Sequence, residues 1–204
     1  MKYPLIEFHE VTKIYKNFCL KIPIYTILKE KTYLLIGANG TGKSTFIKLI
    51  LKLIYPSDGE VNVKPSKIAY IPDSISLPGH LSIYTFLLLL ANCRMPHENN
   101  ANKIKLLCQD WDLDDRKKIN SLSKGMKQKL LIIQALIHSS SIYIFDEPLN
   151  GLDNISIQKF FKIIEKLKLE KKTILIITHE PQVFKLLCDL YIIFKDGNLV
   201  ETSS

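Results

Sequence analysis

The sequence predicts an α/β fold, and three observations carry the prediction. A short apolar run, Thr32-Tyr33-Leu34-Leu35-Ile36, passes through a glycine-rich loop into residues Ser44 to Leu53, which carry apolar side chains at helical spacing. A second apolar run, Ser141 to Phe145, ends in two acids, Asp146 and Glu147. Two extended segments near the start, about Leu5–Tyr15 and Phe18–Ile24, read as strands. The expected architecture is a sheet flanked by helices, an antiparallel β subdomain from the N-terminal segments, and a small helical subdomain at about 74–125. The 204 residues have room for one domain with a full core, expected to span 1–204.

Taken in order, the loop after the Thr32–Ile36 strand is Gly37-Ala38-Asn39-Gly40-Thr41-Gly42-Lys43-Ser44-Thr45, which fits the P-loop pattern G-x-x-x-x-G-K-S/T. Gly37, Gly40 and Gly42 let the backbone turn its N–H groups inward around phosphate oxygens, where Cβ atoms would obstruct. The helix that begins near Lys43 points its positive dipole end at the same phosphates. Lys43 supplies a point charge for the β and γ phosphates, and Ser44 offers a hydroxyl to Mg²⁺. The chain is therefore expected to bind a nucleoside triphosphate on a P-loop NTPase sheet.

Short strands are expected at Glu60–Val63 and Lys67–Ile71, then a helical region from about Ile83 to Leu113 interrupted by a loop from Met95 to Ala101 rich in Pro, His and Asn. Within it, Phe86-Leu87-Leu88-Leu89-Leu90 is apolar on every side of a helix, which suits either a buried helix or a groove for a partner's helix. Ser121-Leu122-Ser123-Lys124-Gly125-Met126-Lys127-Gln128-Lys129 leads into a helical run, Leu130 to His138, with Ser123 as a ready N-cap. The acidic strand follows. Side chains alternate along it, so the two acids need not share one task. Asp146 can hold Mg²⁺ through water or a neighbouring hydroxyl, and Glu147 can face the γ-phosphate and polarise the attacking water. An amphipathic helix from Ile155 to Leu169 should turn Phe160, Phe161, Ile163, Ile164 and Leu167 inward. A strand at Thr173–Thr178 and a final strand pair turning at Lys195-Asp196-Gly197-Asn198 complete the pattern.

At the segment Leu122-Ser123-Lys124-Gly125-Met126 the chain resembles the ATP-binding cassette (ABC) family, and the resemblance covers nearly its whole length. The family signature is LSGGQ, and this segment is similar to its LSKGM variant, found in bacterial single-domain subunits. The resemblance implies that Ser123 and Gly125, at a helix N-terminus, reach the γ-phosphate of ATP held by a second subunit. Tyr15 stands where the family stacks an aromatic on adenine, although an ordinary strand aromatic would look the same. Leu149-Asn150-Gly151-Leu152-Asp153 resembles the D-loop, and His179 matches the switch histidine that hydrogen-bonds the γ-phosphate. Two positions depart from the family. Asp73, in Ala69-Tyr70-Ile71-Pro72-Asp73, replaces the usual Q-loop glutamine, and is expected either to join the metal shell or to leave that role weakened. Glu30-Lys31 replaces the usual Gly-Glu before the P-loop strand. The segment Ser74 to Asn120 is short for the family's helical subdomain.

Composition limits the alternatives. A charged fraction of 24% and a hydrophobic fraction of 47% are those of a soluble globular protein. The net charge of +8 comes almost entirely from lysines spread along the chain, with only Arg94 and Arg116 as arginines. Base readout and phosphate forks favour arginine, so nucleic-acid binding is not expected. Cys19, Cys93, Cys108 and Cys188 are widely separated and read as buried thiols in a reducing compartment. No signal-peptide core opens the chain, and its most apolar run, Ile83 to Ala91, is far below the roughly 20 residues of a membrane span.

The resemblance implies a cytoplasmic Mg²⁺-dependent ATPase on the inner face of the cell membrane, powering a separate transmembrane permease subunit. Two copies, or this chain and a paralogue, would sandwich two ATP molecules and close on binding them. Among transporters the signature resembles those of bacterial exporters, including peptide-antibiotic self-protection systems. A soluble ABC-type ATPase in scaffold, assembly or repair work is the alternative.

Overall fold

A computed structural model describes residues 3–94 and 100–201. The strands are β1 (Pro4–Tyr15), β2 (Phe18–Ile22), β3 (Tyr25–Leu28), β4 (Thr32–Ile36), β5 (Asp58–Val63), β6 (Ile68–Ile71), β7 (Ile142–Asp146), β8 (Thr173–Ile177), β9 (Leu190–Lys195) and β10 (Asn198–Glu201). The helices are α1 (Lys43–Ile50), α2 (Ile83–Arg94), α3 (Asn100–Asp110), α4 (Lys124–Ile137), α5 (Asn154–Leu169) and the short α6 (Pro181–Phe184). The chain forms two compact units: Met1–Ile68 with Ser140–Ile144 and Ile164–Ser204, and Ala69–Ser139 with Phe145–Ile163.

The first unit holds most of the sheet. Its strand order is β3-β1-β2-β10-β9-β4-β8-β7, followed by the start of β6, and β5 also pairs with β1. The N-terminal strands form the expected antiparallel part, β1 pairing with β2, β3 and β5. The core is parallel: β4 lies between β8 and β9, with Leu35 opposite both Ile177 and Ile192. Strands covered on both faces read as continuous apolar runs, and β4 and β8 do so. Leu34, Leu35, Ile174, Leu175 and Ile176 are fully buried. Phe46 of α1 stacks on Phe8 of β1 at 4.8 Å and meets the Phe194 ring of β9 edge-on at 5.2 Å, which seats the helix that follows the glycine loop. Asp196 and Gly197 turn the β9–β10 hairpin with φ of 46° and 75°. Gly197 is required twice, because a Cβ there would stand 2.0 Å from the Cys19 carbonyl oxygen.

The expected second strand, Phe18–Ile24, is shorter than its apolar pattern. Pro23 has no N–H to give a ladder, so β2 stops at Ile22 and the chain re-enters the sheet as β3 on the other edge of β1.

The second unit is built on helices. α2 and α3 form the interrupted helical region expected over Ile83–Leu113; of the loop expected at Met95–Ala101, residues 95–99 lie outside the described residues, and Asn100 and Ala101 already belong to α3. Trp111, Ile104 and Cys108 are buried with Leu130 and Ile133 of α4 in the core of this unit. The run Phe86–Leu90 divides: Leu87 is fully buried and Phe86 nearly so, whereas Leu89 is 54% exposed. In the first ten residues of α5, Phe160 is buried and meets the Phe145 ring edge-on at 5.1 Å. Phe161 and Ile163, expected inward, are only half-buried.

Of the four cysteines expected to be buried, only one is fully so. Cys108 is buried and Cys19 and Cys188 are half-buried, but Cys93 is exposed near the end of α2. Burial pushes the Cys108 and Cys188 thiols up to about 12, which makes them poor nucleophiles.

Several lysines close gaps in the backbone. Lys103 of α3 donates to the Ile137 carbonyl at the end of α4, and Lys159 of α5 donates to the Asp110 carbonyl at the end of α3. In the first unit Lys168 bonds the Leu187 carbonyl at 2.6 Å and Lys13 bonds the Tyr55 carbonyl at 2.7 Å. Helix ends leave carbonyls without internal partners, and an ammonium satisfies them while complementing the helix dipole.

Candidate nucleotide-binding site

The glycine loop leaves β4 at Ile36 and enters α1 at Lys43. Gly42, with φ of 112°, stands at the N-cap of α1, and among the described residues no side chain caps the helix. Its first-turn N–H groups therefore point out of the N-terminus toward the loop. Lys43 is only 7% exposed, and its ammonium donates to the carbonyls of Gly37 (2.5 Å) and Ala38 (2.9 Å). A positive charge is thus held where the loop closes on itself. The Thr41 hydroxyl donates to the Ala38 carbonyl at 2.8 Å and pins the loop from inside. Asn39 and Gly40 form its exposed rim; Ser44 is exposed beside Lys43, and Thr45 is half-buried. A Cβ on Gly40 would meet nothing within 4 Å among the described residues. By contrast, one on Gly37 would lie 2.6 Å from the Thr41 hydroxyl, and one on Gly42 2.7 Å from Leu20.

Two more expected site residues lie in this unit. Leu35 pairs with Ile177, so His179 leaves β8 at the level where Gly37 leaves β4 on the neighbouring parallel strand. His179 is exposed, and the Thr178 hydroxyl turns the chain there by accepting from Glu180 N–H at 3.1 Å. Tyr15 ends β1, 42% exposed, with its ring 6.3 Å from that of Phe18. Phe18 was not singled out by the sequence, yet it lies between Tyr15 and the glycine loop: its ring tip would be 3.2 Å from a Cβ on Gly42. Lys13 is a second neighbour of Tyr15, its ammonium 5.6 Å from the Tyr15 ring centroid.

The second unit holds the remaining candidates. Asp146 is the last residue of β7, half-buried. Glu147 follows, 9% exposed, with φ of 50°. A left-handed conformation costs a β-carbon-bearing residue roughly 1–2 kcal/mol, and such strain is characteristic of functional positions. Burial pushes the Tyr70 hydroxyl up to about 12, and the nearby Asp146 and Asp73 carboxylates add to the rise. The Asp73 Oδ1 accepts a 2.9 Å hydrogen bond from the Asn150 side chain.

Ser123 caps α4, its hydroxyl accepting from Met126 N–H at 3.2 Å, as its sequence position predicts. Gly125 has a further reason to be glycine: a Cβ there would stand 2.2 Å from the Gly151 carbonyl oxygen. The 148–153 segment is fastened along α4. Gln128, buried, donates to the Pro148 carbonyl at 3.0 Å, and Lys129 pairs with Asp153 at 3.1 Å. Asp153 in turn caps α5 by accepting from Ser156 N–H at 2.8 Å, and that bond together with Lys129 holds its carboxyl down at about 2.

Residues 21–150 match the ABC transporter family. The chain belongs to that family. It is 36% identical to the zinc import ATP-binding protein ZnuC of Rickettsia bellii, over 98% of this chain and 83% of that protein. It is 33% identical to the bacitracin transport ATP-binding protein BcrA of Enterococcus faecalis, over 98% of this chain and 69% of that one. Among solved structures, an ATP-binding subunit of an ABC transporter superposes with a TM-score of 0.87 at 26% identity, covering 98% of this chain and 90% of its own. As an ABC transporter ATP-binding subunit, the chain binds and hydrolyses ATP in support of transport.

The residues present fit the ligand the family implies. The uncapped N-terminus of α1, the confined Lys43 ammonium and the open rim at Gly40 suit a polyphosphate chain. The Ser44 hydroxyl and the Asp146 carboxylate are oxygen donors of the kind Mg²⁺ takes.

Proposed function

We propose that this chain drives a separate transmembrane permease by pairing with a second nucleotide-binding subunit, itself or a paralogue, around two molecules of MgATP. The observation that supports this most directly is the phosphate cradle, Lys43 bonded across the mouth of an uncapped helix. In this reading Gly37, Asn39, Gly40, Thr41, Gly42, Lys43 and Thr45 hold the phosphates, and Tyr15 stacks on the base. Ser44 and Asp146 hold Mg²⁺, which neutralises phosphate charge when bound. Glu147 accepts the proton of the attacking water, and His179 donates to the γ-phosphate. Ser123 and Gly125 address the nucleotide of the partner subunit. Asp73, expected either to join the metal shell or to leave that role weakened, has one carboxylate oxygen bonded to Asn150, and a role for that bond is argued below.

Among the described residues no helix is long and apolar enough to cross a membrane. The proposed place is the cytoplasmic face, held to the membrane through the permease, with no nucleic-acid partner. Glu147→Gln tests the core of this reading. The amide fills the site without accepting a proton, so ATP binding should persist while hydrolysis falls by about 10²- to 10⁴-fold, and an ATP-bound dimer should accumulate on gel filtration. Hydrolysis at the parental rate would refute the assignment. Purification from detergent-solubilised membranes should bring down a hydrophobic subunit; a chain recovered alone from the cytosol would favour the non-transport alternative.

A further inference from the structure

The position that departs from the family is tied to the loop that packs against the signature. Asp73 follows β6 and Asn150 lies in the D-loop, 77 residues away in sequence, yet their side chains meet at 2.9 Å. The bond is exposed, and exposed polar pairs add little to folding because water competes for both partners. Its position is more informative than its strength. The residue after Asn150 is Gly151, whose carbonyl oxygen occupies the space a Cβ on Gly125 would need. Backbone therefore touches backbone, and displacing Gly151 displaces the first turn of α4. Pro148 and Asp153 extend the same clamp through Gln128 and Lys129.

The segment that begins at Asp73 also reaches the other flank of the signature. Asn120 N–H donates to the Gly79 carbonyl and Ile119 N–H to the Leu81 carbonyl, both at 3.0 Å. Ser82 and Lys118 form an antiparallel bridge. Residues 119–121 make a single 3-10 turn that runs directly into Leu122 and Ser123. The segment 73–82 thus holds the signature from both sides: through Asn150 and Gly151 on one, and through 118–120 on the other.

We propose that Asp73 is a positioning residue whose bond to Asn150 fixes the D-loop, and through the Gly151–Gly125 contact sets the signature helix for the nucleotide of a second subunit. A carboxylate suits the task, because a charge-assisted bond holds an amide donor more firmly than a neutral glutamine would. The inference rests on the transporter-ATPase reading above. It makes residues 73–82 a single lever on the signature, with one detachable grip and one built from backbone.

The test uses the full chain in the Glu147→Gln background, comparing Asp73→Ala, Asn150→Ala, the double variant and Asp73→Asn. Measured are monomer affinity for MgATP, ATP-driven dimerisation by sedimentation, the Mg²⁺ concentration at half-saturation, and thermal stability. Each alanine variant should require about tenfold more ATP to dimerise, with monomer affinity, Mg²⁺ dependence and Tm unchanged. The double variant should be no worse than either single one. Asp73→Asn should recover much of the loss, since its side-chain carbonyl still accepts from Asn150. The proposal is overturned if the two alanine effects add, if Tm falls in step with dimerisation, or if Asn150→Ala matches the parent. It is also overturned if Asp73→Asn, like Asp73→Ala, chiefly raises the Mg²⁺ requirement, which would place Asp73 at the metal. A parent without Glu147→Gln that neither hydrolyses nor pairs with MgATP would sink the transporter-ATPase reading itself, and this inference with it.

Discussion

The glycine loop and the signature segment both place glycine beside a helix N-terminus, but for opposite reasons. At Gly40 the backbone adopts φ of 79° and a Cβ would enter open space. The requirement there is conformational, and the room beside it is left for a ligand. At Gly125, inside the first turn of α4, the space is already taken by the Gly151 carbonyl. One loop is shaped for what it will bind. The other is shaped by the chain's own backbone, so it can respond when that backbone moves.

Substitutions should separate these two designs. The largest effect is expected from Lys43→Ala, which removes the ammonium bonded to Gly37 and Ala38. A charged hydrogen-bonding group is worth about 1.5–3 kcal/mol, so monomer affinity for ATP should fall roughly 10- to 150-fold by equilibrium dialysis. The same variant should still fold with a parental circular dichroism spectrum.

Gly125→Ala should cost about 1–3 kcal/mol through forced overlap with Gly151. It should impair ATP-driven pairing while leaving monomer affinity intact. Gly40→Ala should do the reverse: about 1–2 kcal/mol of backbone strain, read as weakened ATP binding without any steric effect elsewhere. If both alanines weaken monomer affinity alike, the contrast between the loops fails.

The smallest effect concerns Asp153, which joins the D-loop to α5. Asp153→Ala removes a helix cap and should lower the midpoint of a urea titration slightly. Its carboxyl lies at about 2, below the ordinary 3.8. A depressed carboxyl stabilises the folded state above its unfolded value and loses that contribution as pH falls through the folded one. The stability difference between parent and variant should therefore hold from neutral pH to about 4 and shrink between about 4 and 2. A difference that grows on acidification would contradict the capping role.

The elements legible in the sequence are those whose signal is local. The β4 run, the glycine loop, the β7 run and the Asp196-Gly197 turn each announce themselves within ten residues, and each forms where its pattern places it. Ser123 is legible as a cap for the same reason. Where a local pattern crosses a break the boundary is lost: Ile24 and Tyr25 continue an apolar run, but Pro23 has already ended the strand. Cys93 looks like Cys108 in composition, and only the packing of α2 separates an exposed thiol from a buried one. The contacts that organise the signature were not legible at all. Asp73 with Asn150, Gly125 with Gly151 and Gly42 with Phe18 are pairings across 77, 26 and 24 positions, and no periodicity or motif spacing encodes them. The Asp73 substitution marked the position but not its partner.

The ammonium groups of Lys13, Lys103, Lys159 and Lys168 point at backbone carbonyls of the chain itself. A carbonyl carries no charge of its own, so these contacts fix where the four ammonium groups sit without lowering the formal charge of +8. Salt screens attraction between two full charges far more than it weakens a hydrogen bond from an ammonium to a neutral carbonyl. Ionic strength should therefore leave these four contacts standing while surface pairs such as Arg116 with Asp114 fade. Acetylation distinguishes the two populations in the opposite sense. On an outward lysine it only trims solubility, whereas on Lys103 or Lys159 it uncovers the end of a helix, so a reagent that maps surface amines also reports how tightly the helical unit is closed.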